Sequence, residues 1–97
     1  MTNIVGDPGL DDFSGRIGRA FLIEVSGYRV ELSLDVAEEV PGSPRGRGGF
    51  RLEFLGPLDP MLAQGIVPLA IDDDFFEVFL VAIAQEGTAL RYEAVFF

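Results

Sequence analysis

The sequence predicts an all-β domain: about six mostly antiparallel strands forming a small barrel or sandwich, with one or two short helical turns. Two observations carry this. Apolar residues recur with a period of two along much of the chain, and clusters of turn-forming residues interrupt them at short spacing. Length sets the scale, since 97 residues make one domain, 1–97, and 48% apolar residues can fill one modest core. Residues 1–12 read as an N-terminal arm.

Before the first strand, Asp11 to Gly18 suggests a short helical turn with Phe13 and Ile17 stacked at i,i+4, weakened by Gly15. The first hairpin is the clearest element. Phe21, Ile23 and Val25 alternate with polar residues, and so do Tyr28, Val30, Leu32, Leu34 and Val36. Ser26-Gly27 lies between them, and glycine reaches positive φ at little cost. A two-residue turn there pairs Val25 with Tyr28, Ile23 with Val30 and Phe21 with Leu32. It also sets Glu24 across from Arg29 on the other face. A slip of one residue would destroy both agreements.

Pro41 to Gly49 is a loop by composition, and Phe50, Leu52 and Phe54 mark the third strand. In the connection Gly56–Gly65, Asp59-Pro60 has the form of a helix start and Gly65 of its end, predicting one helical turn. Val67, Leu69 and Ile71 form a fourth strand, which Pro68 places at an edge or bulge. Asp72-Asp73-Asp74 is a turn. Residues 75–85 and 88–97 read as a second hairpin about Glu86-Gly87, pairing Ile83 with Leu90, Val81 with Tyr92 and Phe79 with Ala94. Its other face carries Phe76, Val78, Leu80, Val95 and Phe97, so the ribbon is apolar on both sides. A half-solvated ribbon alternates instead.

Composition narrows function. There are 16 acidic residues against 7 basic ones, a net charge of −9, and every basic residue is Arg. Such a chain repels phosphate backbones and anionic membrane surfaces. Neither nucleic acid nor membrane is therefore expected as a partner. The Arg45-Gly46-Arg47-Gly48-Gly49 stretch has the look of an RGG segment, but two arginines are a thin footprint. They read better as a loop tip. No basic-then-apolar leader opens the chain and no apolar run approaches ~18 residues, so the expected location is cytoplasmic. Export without a signal, or membership of a particle, stays open.

With no His, Cys or Lys, serines have no visible base, and the carboxylates fall on turns and solvent faces. The chain is read as a non-enzyme. Asp72, Asp73 and Asp74 are hard oxygen ligands, but their spacing lacks the pattern of a calcium loop. Neither metal nor cofactor is expected. The leading expectation is a structural or protein-interaction module that self-associates or docks onto a larger assembly. Phe76, Val78, Leu80, Val95 and Phe97 would form the interface. The alternative is a small-ligand barrel with Tyr28, Phe54, Phe79 and Tyr92 around a cavity. An acidic mimic of nucleic acid is a remoter third.

Several runs also resemble one family. They are F-R-L-E-F-L-G-P-L-D-P (Phe50–Pro60), L-A-Q-G (Leu62–Gly65), F-E-V-F-L-V (Phe76–Val81) and R-Y-E-A-V-F (Arg91–Phe96). The chain from Phe13 onward is similar to uncharacterised bacterial single-domain β-proteins of about this length, associated with phage-tail-like or tail-collar proteins. The resemblance implies an assembly or accessory role and carries over no catalytic residues. Two departures stand out: Asp72-Asp73-Asp74 replaces a His-containing turn, and Phe97 replaces a polar last residue.

Overall fold

A computed structural model describes residues 2–97 of the chain; Met1, the first residue of the expected arm, lies outside the described residues. The first hairpin forms as its pattern requires. Strand β2 (Ala20–Val25) and strand β3 (Tyr28–Val40) pair Phe21 with Leu32, Ile23 with Val30, Glu24 with Arg29 and Val25 with Tyr28. Ser26 (φ 51°) and Gly27 (φ 81°) make the turn, the two left-handed residues that a tight twisted hairpin calls for. Strand β4 (Gly49–Pro57) follows the 41–48 loop and buries Phe50, Leu52 and Phe54.

Strand β5 (Gly65–Ile71) and strand β6 (Asp74–Glu86) join through Asp72-Asp73, and strand β7 (Ala89–Phe96) ends the chain. A two-residue strand β1 (Asn3–Ile4) lies parallel to the start of β6, so the N-terminal arm is pinned to the sheet. The sheet therefore has seven strands in the order β1-β6-β5-β2-β3-β4-β7, and an extra β6–β7 pairing turns six of them into a ring. The fold is all-β with short helical turns, as the alternation predicts.

The ring is uneven. β4 and β7 pair continuously from Phe50↔Phe96 to Pro57↔Ala89. β2 and β5 touch through one pair, Leu22↔Ala70. Pro68 lies two residues away and has no N–H to give a ladder; β5 nevertheless lies between β6 and β2 without a bulge there, so the edge or bulge expected of Pro68 is not found, and the sparse seam accommodates its missing donor. β6 bridges the ring: residues 74–80 pair with β5, and 81–86 with β7.

That division corrects the second hairpin. Its turn is Gly87-Thr88, with Gly87 at φ 59° and Glu86 opposite Ala89. Leu90 therefore meets Gln85, not Ile83, and a bulge between Ala82 and Ala84 sets Tyr92 opposite Ala82, not Val81. Phe79 faces Ile66 of β5 rather than Ala94. Arg91 fixes the observed turn by gripping Glu86 at 2.5 and 3.0 Å. A second bulge, between Leu34 and Val36 of β3, turns Val36 away from the face it was expected to share and brings Ala37 against the core.

Inside the ring, Phe21, Ile23, Leu32, Leu34, Phe54, Leu69, Phe76, Leu80 and Tyr92 pack together. Phe13 plugs one end. It is fully buried, 4.7 Å from Phe76 and 5.7 Å from Phe50 between ring centres. It sits between two 3-10 turns, Leu10–Asp12 and Ser14–Arg16, while Ile17 points to solvent. The expected Phe13–Ile17 stack does not form, because burying Phe13 among aromatic rings removes more apolar surface from water than a local contact would.

No helical turn forms between Asp59 and Gly65 either. The Leu62 N–H, which a turn would direct to a nearby carbonyl, donates to the Tyr92 hydroxyl at 3.0 Å. Leu62 packs against the core while Met61 stays exposed.

Candidate functional site

The ring's outer surface has two unlike faces. On β3, β4 and β7 the outward residues form one charge network. Arg51 is ion-paired with Glu38, Glu53 and Glu93. Arg91 reaches Glu53 at 2.7 Å, Asp35 at 2.8 Å and Glu86 at 2.5 Å. Glu53 and Glu93 lie directly opposite each other, an unfavourable like-charge pair that the two arginines neutralise. Hydrogen bonds to Glu86 and Asp35 raise the Arg91 pKa above its ordinary value, and the bond from Arg91 holds the Glu86 carboxyl below its own. This face is self-satisfied.

The face of β2, β5 and β6 is different. Ile66 of β5 and Phe79 of β6 are a directly opposed pair, and they are 69% and 51% exposed. Further along the same strands come the pairs Pro68↔Glu77 and Ala70↔Phe75, with Leu22 of β2 beside Ala70. Leu22, Glu24, Pro68, Ala70 and Phe75 line a notch of about 90 Å³ over the β2–β5 seam. Its walls are hydrocarbon and one aromatic ring, with a single carboxylate. Among the described residues, neither Glu24 nor Glu77 is ion-paired, and Arg29 is the one arginine without a carboxylate partner.

The expected interface residues divide between inside and outside. Phe76, Val78 and Leu80 are core, correcting their placement on an outer surface, because pairing with β5 turns that parity of β6 inward. Val95 and Phe97 are exposed, at 52% and 57%. The expected ligand set is also split. Phe54 and Tyr92 are buried in the packed centre, whereas Tyr28 and Phe79 are on the exterior, so the four line no common cavity. Tyr28 instead borders a hollow of about 430 Å³ with Val25, Asp59, Pro60, Met61 and Leu62.

The acidic turn and the glycine-rich loop serve as internal straps. Asp72 receives Arg19 at 2.7 Å and Arg16 at 3.4 Å, and Asp74 receives Arg16 at 2.7 Å. The hydrogen bond from Arg19 holds the Asp72 carboxyl below its ordinary pKa; bonds from Asn3 and then Arg16 do the same for Asp74. Arg45 lies over the Phe50 and Phe96 rings, donates to the Pro8 carbonyl at 2.8 Å and pairs with Asp7 at 3.0 Å. Arg47 pairs with Asp11 at 2.6 Å. Both guanidinium groups of the RGG-like stretch are thus committed to the N-terminal segment.

Ile66 and Leu22 were not singled out by sequence reasoning, and Glu24 figured there only as the cross-strand partner of Arg29. The signal was present in β5, where Val67, Leu69 and Ile71 claim the inward parity and leave Ile66, Pro68 and Ala70 outside. A helix long and apolar enough to cross a membrane is absent among the described residues.

A six-strand all-β ring with one charged and one apolar outer face defines a small β-domain of the kind the resemblance implied. The chain belongs to the DUF6916 family, a domain of unknown function whose family model matches residues 8–96. No curated protein and no solved structure matches it.

Proposed function

We propose that this domain is a non-catalytic protein-interaction module that docks through the outer face of β5 and β6. The observation that carries this is the Ile66–Phe79 pair: two large apolar side chains, directly opposed and more than half exposed, on a domain whose core is already filled. Large apolar surfaces on small soluble domains mark contact sites, and aromatic anchors dominate their energetics. Val95, also exposed, lies across from Arg51 on the charged face and is not part of this patch. A non-catalytic role fits the commitment of Glu53, Asp72 and Asp74 to arginines. The likeness to tail-associated domains suggests that the docking partner is a component of a larger assembly.

Photo-crosslinking tests this reading. A benzophenone amino acid replaces Ile66, or Glu38 on the charged face, in producing cells. A discrete protein adduct from position 66, absent from position 38 and abolished by Phe79→Asp, is expected. Adducts of equal yield from both faces, or none from position 66, would refute the docking face. Light scattering on the purified domain then separates a second copy from a different protein.

A further inference from the structure

Resting on that docking reading, we infer that the partner is a basic polypeptide, and that the notch over the β2–β5 seam receives one of its arginine or lysine side chains. The notch has the chemistry of such a side chain in negative. Leu22, Pro68, Ala70 and the Phe75 ring offer hydrocarbon to an aliphatic stem, and Glu24 offers a carboxylate to the charged tip. Phe75 adds a ring that a guanidinium can stack on. Glu77 is paired across β6–β5 with Pro68, so a second carboxylate stands beside the same residue.

Charge excludes a second copy as the preferred occupant. A two-fold contact of this face would gather two copies of Glu24 and of Glu77 into one interface. Each chain carries a net charge of −9, and among the described residues only Arg29 is not already ion-paired. Arg29 is the cross-strand neighbour of Glu24 on β3 but makes no ion pair with it, so neither carboxylate is neutralised within the chain and a basic partner can supply both counter-charges. A partner with alternating apolar and basic residues would meet Phe79 and Ile66 with the former, and Glu24 and Glu77 with the latter. Unpaired carboxylates of this kind steer encounter and select partner identity.

The probe is the capped peptide Leu-Arg-Leu-Arg-Leu, titrated into the ¹⁵N-labelled full chain and followed by amide chemical shifts. Saturable shifts centred on Leu22, Glu24, Ala70, Phe75 and Glu77 are expected, weakening as NaCl rises. Glu24→Gln with Glu77→Gln should reduce affinity about tenfold, the scale of a charge-assisted contact. Both carboxylates are exposed, and an unchanged thermal melt of the double variant shows that its fold is intact. Equal binding of the peptide with norleucine in place of Arg would overturn the cationic preference and leave the docking face standing. Absence of saturable shifts on this face would overturn the inference, whatever adduct position 66 gives. A dimer that tightens when both glutamates are neutralised would overturn it in favour of a second copy.

Discussion

Replacing Phe13 with alanine asks whether the N-terminal segment is part of the core or merely lies on it. Phe13 is 0% exposed, and its ring lies 4.7 Å from Phe76, 5.7 Å from Phe50 and 5.9 Å from Phe21, centre to centre. Truncation removes the transfer energy of a whole aromatic side chain and leaves a cavity walled by three others. The surrounding strands are hydrogen-bonded into a ring and can collapse little, which puts the cost at about 3–5 kcal/mol. For a domain of this size, that lowers the melting temperature by roughly 12–40 °C, at about 4–8 °C per kcal/mol. Ile17, four residues on and 51% exposed, is the control, and Ile17→Ala should cost within about 0.5 kcal/mol. Urea unfolding followed by far-UV circular dichroism suits a chain without Trp. Equal losses at the two positions, or a loss under about 1 kcal/mol for Phe13→Ala, would refute the burial of this segment.

Two further outcomes are expected. Tyr92→Phe keeps the buried ring but strips the Leu62 N–H of its acceptor at 3.0 Å, so it should cost about 1 kcal/mol, the low end for an unpaired donor because the bond is only partly buried. Amide exchange at Leu62 should quicken, and an unchanged Leu62 rate would sink this account. As for pH, the Asp72, Asp74 and Glu86 carboxyls titrate below their ordinary values in the folded protein, held down by hydrogen bonds from Arg19, from Asn3 and Arg16, and from Arg91 respectively. Their contribution is fully present above the unfolded carboxylate range near pH 4 and is lost as pH falls through the depressed folded values. With no His or Cys in the chain, urea midpoints should be flat from about pH 7 to 5 and fall below about pH 4. A decline already between pH 7 and 5 would contradict this.

What could be read in advance depended on whether independent local signals agreed. In the first hairpin, hydrophobic parity, the Ser26-Gly27 turn and the Glu24–Arg29 pair all demand one register, and it is the observed one. In the second, apolar residues occupy both parities, so a shifted register carries no hydrophobic penalty and cannot be rejected. The bulge at Ile83 and the transfer of residues 74–80 to β5 are tertiary facts with no local signature. One parity error then moved Phe76, Val78 and Leu80 from the centre to the presumed contact face. Leu62 shows the same limit, since the hydroxyl that captures its N–H is 30 residues away. Reading the RGG-like stretch from composition as a loop tip gave no sign of its long reach: Arg45 and Arg47 fasten it to Asp7 and Asp11.

The single Leu22↔Ala70 pair makes the ring a bracelet with one clasp. The other strand pairs around its circumference are each joined by five or more residue pairs, two of them interrupted by a bulge, so the thinnest join is the one between β2 and β5. A guest lodged on Glu24 with a second cation on Glu77 spans that clasp from one strand to the far side of the next. Its grip and the closure of the bracelet are then thermodynamically linked: whatever tightens one tightens the other, and an opened clasp releases the guest.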